Sequence, residues 1–225
     1  MIIFTIVYPS NDRLAKGAEK AIYERFGVRP LLSSRQVVQY AATSKRELIL
    51  NLPLQQLESF TKDNEIAVYR LARTRNSDVP LTVESMPSGS YGITTEDVYQ
   101  NYKLGMSRRG TNMLFDSLLT IESYLDFGLC RVSILGRAGT TIGPSSRIAS
   151  KPVYKNLALD FFEKQSIVAE VTTDWSGELE GLPELGLADF IVDNVETGNS
   201  ARENGLIEYA KIMDSRAIWI EKLFR

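Results

Sequence analysis

The chain has 225 residues, of which 44% are hydrophobic and 24% charged, a composition typical of a folded globular protein that excludes a disordered or coiled-coil chain. Its formal charge of −2 lacks the positive excess of a general nucleic-acid binder, so we expect no nucleic-acid partner. One cysteine, Cys130, and no histidine exclude an internal disulfide, histidine-based catalysis and the usual zinc sites.

In chain order, the first half of the sequence alternates apolar strand patterns with helical ones. A strand is predicted at residues 2–7, followed by a helix from Leu14 to Phe26 that Gly27 ends. Further strands are predicted at 36–42, 66–71 and 91–93, and further helices at 53–60, from Asp78 onward, and after a cap at Thr94 or Thr95.

The second half continues the alternation, with an irregular helical period over residues 100–124. Strands are predicted at 130–135, 147–149, 167–171, 190–192 and 217–220, and helices at 156–164, 179–185 and 202–213. Such alternation indicates an α/β protein with parallel or mixed sheets covered by helices. A boundary near Asp97 predicts an N-terminal lobe of residues 1–97 and a C-terminal lobe of residues 98–225, with the ligand in the cleft between them.

No stretch of the sequence reaches the roughly 18 apolar residues that span a bilayer. The N-terminus also lacks the basic segment of a signal peptide. We therefore expect a cytoplasmic protein with no membrane partner.

Residues 186–206, GLADFIVDNVETGNSARENGL, carry the most chemical information. A buried strand ends at Asp193, and a tight turn with Gly198 at its centre leads into a helix from about Ala201. Backbone amides exposed by the glycine, hydroxyl and amide side chains, and the helix dipole together predict an anion cradle, usually for phosphate. Asp193 is placed to orient ribose hydroxyls or to hold a metal. The alternative is an ordinary strand-to-helix turn with a serine cap.

This segment resembles the signature of the ATP phosphoribosyltransferases, the first enzymes of histidine biosynthesis. The signature combines a glutamate, GLADxIVD, a Thr/Ser-Gly-x-Thr loop and a helix start with Arg/Lys-x-Asn-x-Leu. Its matches here are Glu180, residues 186–189, 191–193 and 197–200, and Arg202, Asn204 and Leu206. Looser matches precede it at residues 125–132, 147–150 ("RIAT"), 92–97 ("GITGxD"), 75–80 ("RPxDVP"), 34–35 ("SRK") and 10–13 ("SKGR").

The resemblance implies a two-lobed type II periplasmic-binding-protein-like fold and a phosphoribosyl diphosphate donor whose 5-phosphate binds at 196–200. The implied donor-binding residues are Asp193, Glu196, Thr197, Gly198, Asn199 and Ser200. The implied catalytic residues are Asp193 with Arg35 and Arg75, which face the diphosphate or the acceptor. The implied acceptor-binding residues are Ser10, Asn11, Arg13, Thr94 and Thr95. Mg²⁺ is the expected cofactor, with Glu180 and Asp193 as candidate ligands.

Phosphoribosyl transfer is consistent with a chain that lacks histidine. The acceptor nitrogen displaces diphosphate from the anomeric carbon through an oxocarbenium-like transition state. This step requires positioning and charge neutralisation of the leaving group by Mg²⁺, Arg and Lys. A neutral ring nitrogen needs no strong general base.

Departures from the family pattern concern mainly the acceptor side. Asn11 and Asp12 stand where the family has Lys-Gly, and Thr95 stands where it has a second glycine. These changes predict weaker binding of the ATP polyphosphate. They leave two alternatives open: a paralogue that ribosylates another nitrogen heterocycle, and a non-catalytic nucleotide- or solute-binding module. The resemblance is to the short form of the family, which implies a homo-oligomer and possible use of a separate regulatory subunit.

Overall fold

The computed structural model describes residues 3–28, 37–42, 47–50, 68–109, 119–175 and 177–223. The chain divides into two compact units, each made of separate segments. Unit 1 comprises Met1–Thr95, Phe115–Gly128 and Ala217–Arg225, and unit 2 comprises Glu96–Leu114 and Leu129–Arg216. The predicted division at residues 97/98 treats each lobe as one continuous segment, whereas the chain here returns to unit 1 twice.

Unit 1 is built on a mixed sheet that has seven strands among the described residues, in the order β3-β2-β4-β1-β5-β12-β6. The three central strands β4, β1 and β5 are parallel, and the outer pairs are antiparallel. The strands are β1 (Ile3–Pro9), β2 (Val37–Ala42), β3 (Glu47–Leu50), β4 (Val68–Thr74), β5 (Tyr91–Thr95), β6 (Leu119–Tyr124) and β12 (Ala217–Lys222).

Helices cover both faces of this sheet. Helix α1 (Asp12–Phe26) ends at Gly27, whose φ of 68° places it in the left-handed region that glycine adopts without strain. Ala18 and Ile22 of α1 pack on a core of Ile6, Leu71, Ile93 and Trp219. On the opposite face lies α2 (Val79–Glu84), so close that a Cβ on Gly92 would come within 2.7 Å of Val83.

Unit 2 has a second mixed sheet with strand order β11-β7-β10-β8-β9. Strands β10, β8 and β9 run parallel, whereas β7 lies antiparallel to both β10 and β11. The strands are β7 (Cys130–Arg137), β8 (Arg147–Ser150), β9 (Glu170–Thr172), β10 (Phe190–Val195) and β11 (Leu206–Ser215). The helices are α3 (Glu96–Arg108), α4 (Lys155–Lys164) and the single turn α5 (Asn199–Glu203).

Strand β10 is at the centre of this unit because its two faces supply two separate cores. Phe190 and Val192 pack with Leu157 and Phe162 of α4. Ile191 packs on the other side with Leu179 and neighbouring apolar residues of the turns that precede β10. Burial on both faces accounts for the unbroken apolar run that predicted this strand. The predicted fold class, an α/β protein with mixed sheets covered by helices, is confirmed.

Two long helical predictions are each right only in their first part, and the strand that forms the remainder contains a β-bulge in both cases. The predicted helix over 202–213 is one turn of α5 followed by strand β11, where Tyr209 and Ile212 have no partner on β7. Each extra residue shifts the inward and outward alternation by one, so the apolar residues recur at near-helical spacing. Similarly, α3 ends at Arg108 and residues 119–124 form β6, with Glu122 unpaired opposite β12.

A third predicted helix, over 179–185, is a series of turns. Leu179 and Leu182 are both buried three residues apart, which mimics one face of a helix. Pro183 has no amide hydrogen to donate, and the chain turns instead, with the Leu187 N–H donating to the Leu182 carbonyl at 3.0 Å. The helix predicted at 53–60 lies outside the described residues.

Among the described residues no helix is both long and apolar enough to cross a membrane.

We expect Gly17→Ala to destabilise the protein although alanine favours helices. A Cβ at this position in α1 would lie 2.4 Å from Cδ2 of Phe127, far inside contact distance. The helix-propensity gain of at most about 1 kcal/mol is smaller than the usual cost of overpacking, about 1–3 kcal/mol. Urea denaturation measures the change in the free energy of unfolding. Lys16→Ala on the exposed face is the control, and a Gly17→Ala variant at least as stable as the wild type would contradict the prediction.

Candidate functional site

A buried carboxylate occupies the carboxyl end of the parallel strands in unit 2. Asp193 is 4% exposed and lies on β10, beside the residue that follows β8, Lys151. The Lys151 Nζ donates to both carboxylate oxygens, at 2.6 and 2.8 Å, and the Asn194 N–H donates to Oδ1 at 2.7 Å. Burial raises the pKa of Asp193 above its usual range, although Lys151 and the Asn194 N–H oppose that rise. Sequence reasoning missed Lys151, whose position directly after the strand at 147–150 was the available signal.

Glu180 lies on the turn segment before β10 and is a second carboxylate near Asp193 at this edge of the sheet. Its Oε1 accepts from the Ser200 hydroxyl at 2.7 Å, and its Oε2 accepts from the Leu179 N–H at 3.1 Å. Burial raises the pKa of Glu180, but these hydrogen bonds and the Lys151 charge outweigh it and lower the pKa below its usual value. Glu180 therefore fixes the loop through Ser200.

The segment predicted to be an anion cradle, residues 196–200, is a loop between β10 and the first turn of α5. Gly198 has a φ of 75°. The Asn199 N–H donates to the hydroxyl oxygen Oγ1 of Thr197, two residues earlier, at 3.4 Å. Among the described residues, the N–H groups of Thr197 and Gly198, which lie outside the helices and strands, donate to no backbone carbonyl. The expected helix dipole is small, because α5 is a single turn of five residues.

Two arginines flank this loop, and neither was among the residues predicted for the site. A Cβ on Gly198 would lie 3.4 Å from Nη1 of Arg202 and 4.0 Å from Nη2 of Arg131. Arg202 donates to the Thr197 carbonyl at 3.5 Å and to the Asn199 side-chain oxygen, both neutral acceptors. The Arg202 charge therefore lies beside the backbone of the loop at Gly198, an arrangement that favours an anionic ligand.

Arg131 differs from Arg202 because a carboxylate neutralises it. Its Nε and Nη2 donate to Glu208 on β11 at 2.9 and 2.7 Å, and its Nη1 donates to the Glu196 carbonyl at 3.4 Å. Ser133 donates to the same glutamate at 2.7 Å. Glu196 itself is exposed. The pair ties the first residue of the loop to the sheet.

The two predicted metal ligands do not form a metal site. Both oxygens of Asp193 already accept hydrogen bonds from an ammonium group, and both oxygens of Glu180 accept from protein donors. Across the described ranges, no group of three or more acidic, histidine or cysteine side chains converges. The donor set fits a cationic side chain rather than a bound divalent ion.

The predicted acceptor-side residues lie in unit 1, at the carboxyl ends of the parallel strands β4, β1 and β5. Ser10 and Asn11 follow β1 and are exposed, and the Ser10 N–H donates to the Thr74 carbonyl at 2.7 Å. Arg75 follows β4 and is exposed, as is Arg13 in the first turn of α1. Since the ligand crevice of an α/β sheet lies at this edge, four of the predicted residues share a suitable location. Arg35 lies outside the described residues.

Thr94 and Thr95 occupy the end of β5 but are 0% and 5% exposed. The Thr94 hydroxyl donates to the Asn76 side-chain oxygen at 2.9 Å, and the Asn76 amide donates to the Thr95 hydroxyl at 2.8 Å. In this arrangement the two threonines hold the turn that follows Arg75, and they do so through a residue that sequence reasoning did not identify.

Cys130 is half-buried at the start of β7. Burial, with the nearby Asp97 charge, raises the pKa of its thiol to about 12. A thiol with such a pKa has almost no thiolate at neutral pH and is a poor nucleophile.

Glu208 generates a pH prediction with a definite sign. The Arg131 hydrogen bond lowers the pKa of Glu208 below the usual 4.5. Its stabilising contribution is therefore present above pH 4.5 and is lost as the pH falls through the lowered folded-state pKa. The side chains are 32% and 30% exposed, so we expect about 0.2–1 kcal/mol. Thermal unfolding of wild type and Glu208→Gln across this range should show a Tm difference that disappears in acid, whereas Glu203→Gln should show none.

Comparison with known proteins places these residues in a family. The family model described as ATP phosphoribosyltransferase (HisG) matches residues 75–223. The chain is 36% identical over 159 residues to the ATP phosphoribosyltransferase of Nitratiruptor sp., covering 69% of each protein. It is 38% identical over 148 residues to that of Pyrococcus furiosus, covering 64% of each. The aligned part thus spans about two thirds of these relatives.

A solved structure shows the same fold over almost the whole chain. It is the ATP phosphoribosyl transferase (HisG:HisZ) complex from Thermotoga maritima, with a TM-score of 0.67 and 20% identity, covering 99% of this chain and 88% of that one. The loop at 196–200, Asp193 and Arg75 all lie within the part that the family model matches. The chain belongs to the ATP phosphoribosyltransferase family.

Proposed function

We propose that this protein transfers the phosphoribosyl group of phosphoribosyl diphosphate to a ring nitrogen of ATP and releases diphosphate, the first step of histidine biosynthesis. Family membership supports the reaction class. The observation that carries it in this chain is the loop at 196–200, where the Thr197 and Gly198 N–H groups donate to no backbone carbonyl and the Arg202 guanidinium lies beside Gly198.

The donor binds to unit 2 in this proposal. The 5-phosphate accepts from the N–H groups of Thr197, Gly198 and Ser200, with Arg202 supplying positive charge. The Asp193 carboxylate accepts from a ribose hydroxyl, because a buried ionised carboxylate is an acceptor only. Side chains of Glu196 and Asn199 line the loop, and Asn199 acts mainly by holding Arg202.

Catalysis proceeds by direct displacement at the anomeric carbon. The acceptor nitrogen forms a bond to that carbon as the bond to the diphosphate oxygen breaks, and the diphosphate leaves with the bonding electrons. Arg75 and Arg35 stabilise the developing negative charge on the leaving group. The protein contributes positioning and charge, consistent with a chain that has no histidine.

Members of this family generally use a divalent metal ion. We propose that the ion is Mg²⁺ and that it arrives bound to the oxygens of the donor diphosphate. A protein cage made by Glu180 and Asp193 is not part of this proposal, because their oxygens are already occupied.

The acceptor binds to unit 1, at the edge that carries Ser10, Asn11, Arg13 and Arg75. Thr94 and Thr95 act indirectly by fixing Asn76. We further propose a cytoplasmic homo-oligomer that acts with or without a separate regulatory subunit. The Thermotoga maritima structure is of a HisG:HisZ complex.

Replacement of Gly198 tests donor binding. Valine at φ 75° is strained, and its Cβ lies 3.4 Å from Arg202, so Gly198→Val should distort the loop and weaken phosphoribosyl diphosphate binding by more than about tenfold, or 1.4 kcal/mol. Gly139→Val is the matched control, because Gly139 has φ 85° and nothing within 4 Å of its Cβ position. Calorimetric affinities for the donor measure the effect, and equal affinities of the two variants would contradict the assignment.

Substitutions at the acceptor edge test ATP as the acceptor. Asn11 is exposed, and Asn11→Lys/Asp12→Gly adds one positive charge and removes one negative charge near the polyphosphate. At about 4 Å and an effective dielectric of 20, the interaction between one side-chain charge and one phosphate charge is roughly 4 kcal/mol before screening. If screening leaves about a quarter of that for each of the two changes, the affinity for ATP changes by at least about tenfold. We expect kcat/KM for ATP to rise by about that factor.

Uncharged heterocycles serve as the control substrates in that comparison, since their kcat/KM should not change. Efficient turnover of a small azole or purine by the unaltered protein, with none of ATP, would instead establish a paralogue with another acceptor. No gain for ATP in the double variant would show that other side chains already balance the charge.

A further inference from the structure

The pairing of Lys151 with Asp193 is the most buried ion pair described in this chain. The Asp193 side chain is 5% exposed and that of Lys151 is 26% exposed. By comparison, the side chains of Arg131 and Glu208 are 32% and 30% exposed. A carboxylate this deeply buried is stable only with an opposite charge and hydrogen-bond donors around it.

The groups that face Asp193 come from three elements. Lys151, directly after β8, supplies the one positive charge found there among the described residues. Glu180, on the turn segment before β10, adds a second negative charge, and Tyr154 adds a buried phenol next to α4. Lys151 also lowers the pKa of Glu180, so one ammonium group serves two carboxylates.

The hydrogen bonds leave little capacity on the carboxylate. Two oxygens offer about four lone-pair sites. Lys151 occupies one on each oxygen, and the Asn194 N–H occupies another on Oδ1. About one acceptor site remains, on Oδ2. That capacity suits a single hydroxyl donor, whereas a divalent ion would have to displace the ammonium group or approach it against charge repulsion.

We propose that Lys151, and not a metal ion, is the counter-ion that holds the Asp193 carboxylate in place for a ribose hydroxyl of the donor. Lys151 is thereby a positioning residue, acting through Asp193. The inference rests on the proposed function for the identity of the ligand. It assigns Mg²⁺ to the donor diphosphate alone, so the ribose side of the site should work without metal.

The first experiment measures metal binding in the ligand-free protein. Mn²⁺ is titrated into the wild type and followed by electron paramagnetic resonance. We expect no site tighter than about 1 mM. A tighter site that disappears in Asp193→Asn would overturn the inference, and this result does not depend on what substrate the protein uses.

The second experiment measures ribose 5-phosphate binding by calorimetry, since this probe has the ribose and 5-phosphate but no diphosphate. Wild-type affinity should be the same within about twofold in excess EDTA and in Mg²⁺. Lys151→Gln should weaken it by at least about tenfold in either condition, and Lys151→Arg should restore it to within about threefold. Lys155→Gln, which removes an exposed charge four residues away, should have no effect.

Unchanged affinity in Lys151→Gln, or a strong loss of wild-type affinity in EDTA, would refute the role of Lys151. Thermal unfolding of each variant shows whether a loss reflects a misfolded protein, and rescue by arginine separates charge from simple packing. If the wild type binds neither ribose 5-phosphate nor phosphoribosyl diphosphate, the proposed function fails, while the Mn²⁺ titration still decides whether a metal or Lys151 neutralises Asp193.

Discussion

A buried carboxylate needs a fixed positive partner, and in unit 2 the pairing of β8 with β10 supplies one to Asp193. Asp193 is on the central strand, with apolar cores on both faces of the sheet around it. Because solvent is nearly excluded, only a group held by the fold can supply the charge. Lys151 does so because β8 and β10 are parallel neighbours whose carboxyl ends lie together. The same geometry brings Glu180 and, through it, Ser200 of the loop to this edge.

The two arginines beside the loop have different partners and therefore different roles. Arg131 is neutralised by Glu208 and fixes the backbone at Glu196. Arg202 has only neutral acceptors among the described residues, so its charge is available to a ligand. Arg131 therefore fixes the backbone of the loop, whereas Arg202 places a positive charge beside Gly198, and such a charge is favourable for binding a phosphate.

In unit 1, side-chain hydrogen bonds stabilise the backbone at the carboxyl ends of the parallel strands. Here buried hydroxyls fix the turn after β4, because Thr94 and Thr95 both make hydrogen bonds with the Asn76 side chain. Arg75, directly before this turn, and Asn11, after β1, are both exposed. Positions that sequence reasoning grouped as acceptor ligands thus separate into exposed groups and supporting groups, a distinction that depends on burial and that a linear motif does not contain.

The sequence by itself determined the elements whose apolar residues follow one period throughout. Helix α1 with its Gly27 end, the buried strand β10 and the turn at Gly198 are all visible locally, because each depends on neighbouring residues alone. The family signature in residues 186–206 likewise pointed to Asp193 and the loop. Tertiary structure alone decided the rest. Bulges in β6 and β11 arise from pairing with distant strands, and they changed a strand pattern into an apparently helical one. Lys151 and Asp193 are 42 residues apart in the chain, so only the register of β8 against β10 makes them an ion pair.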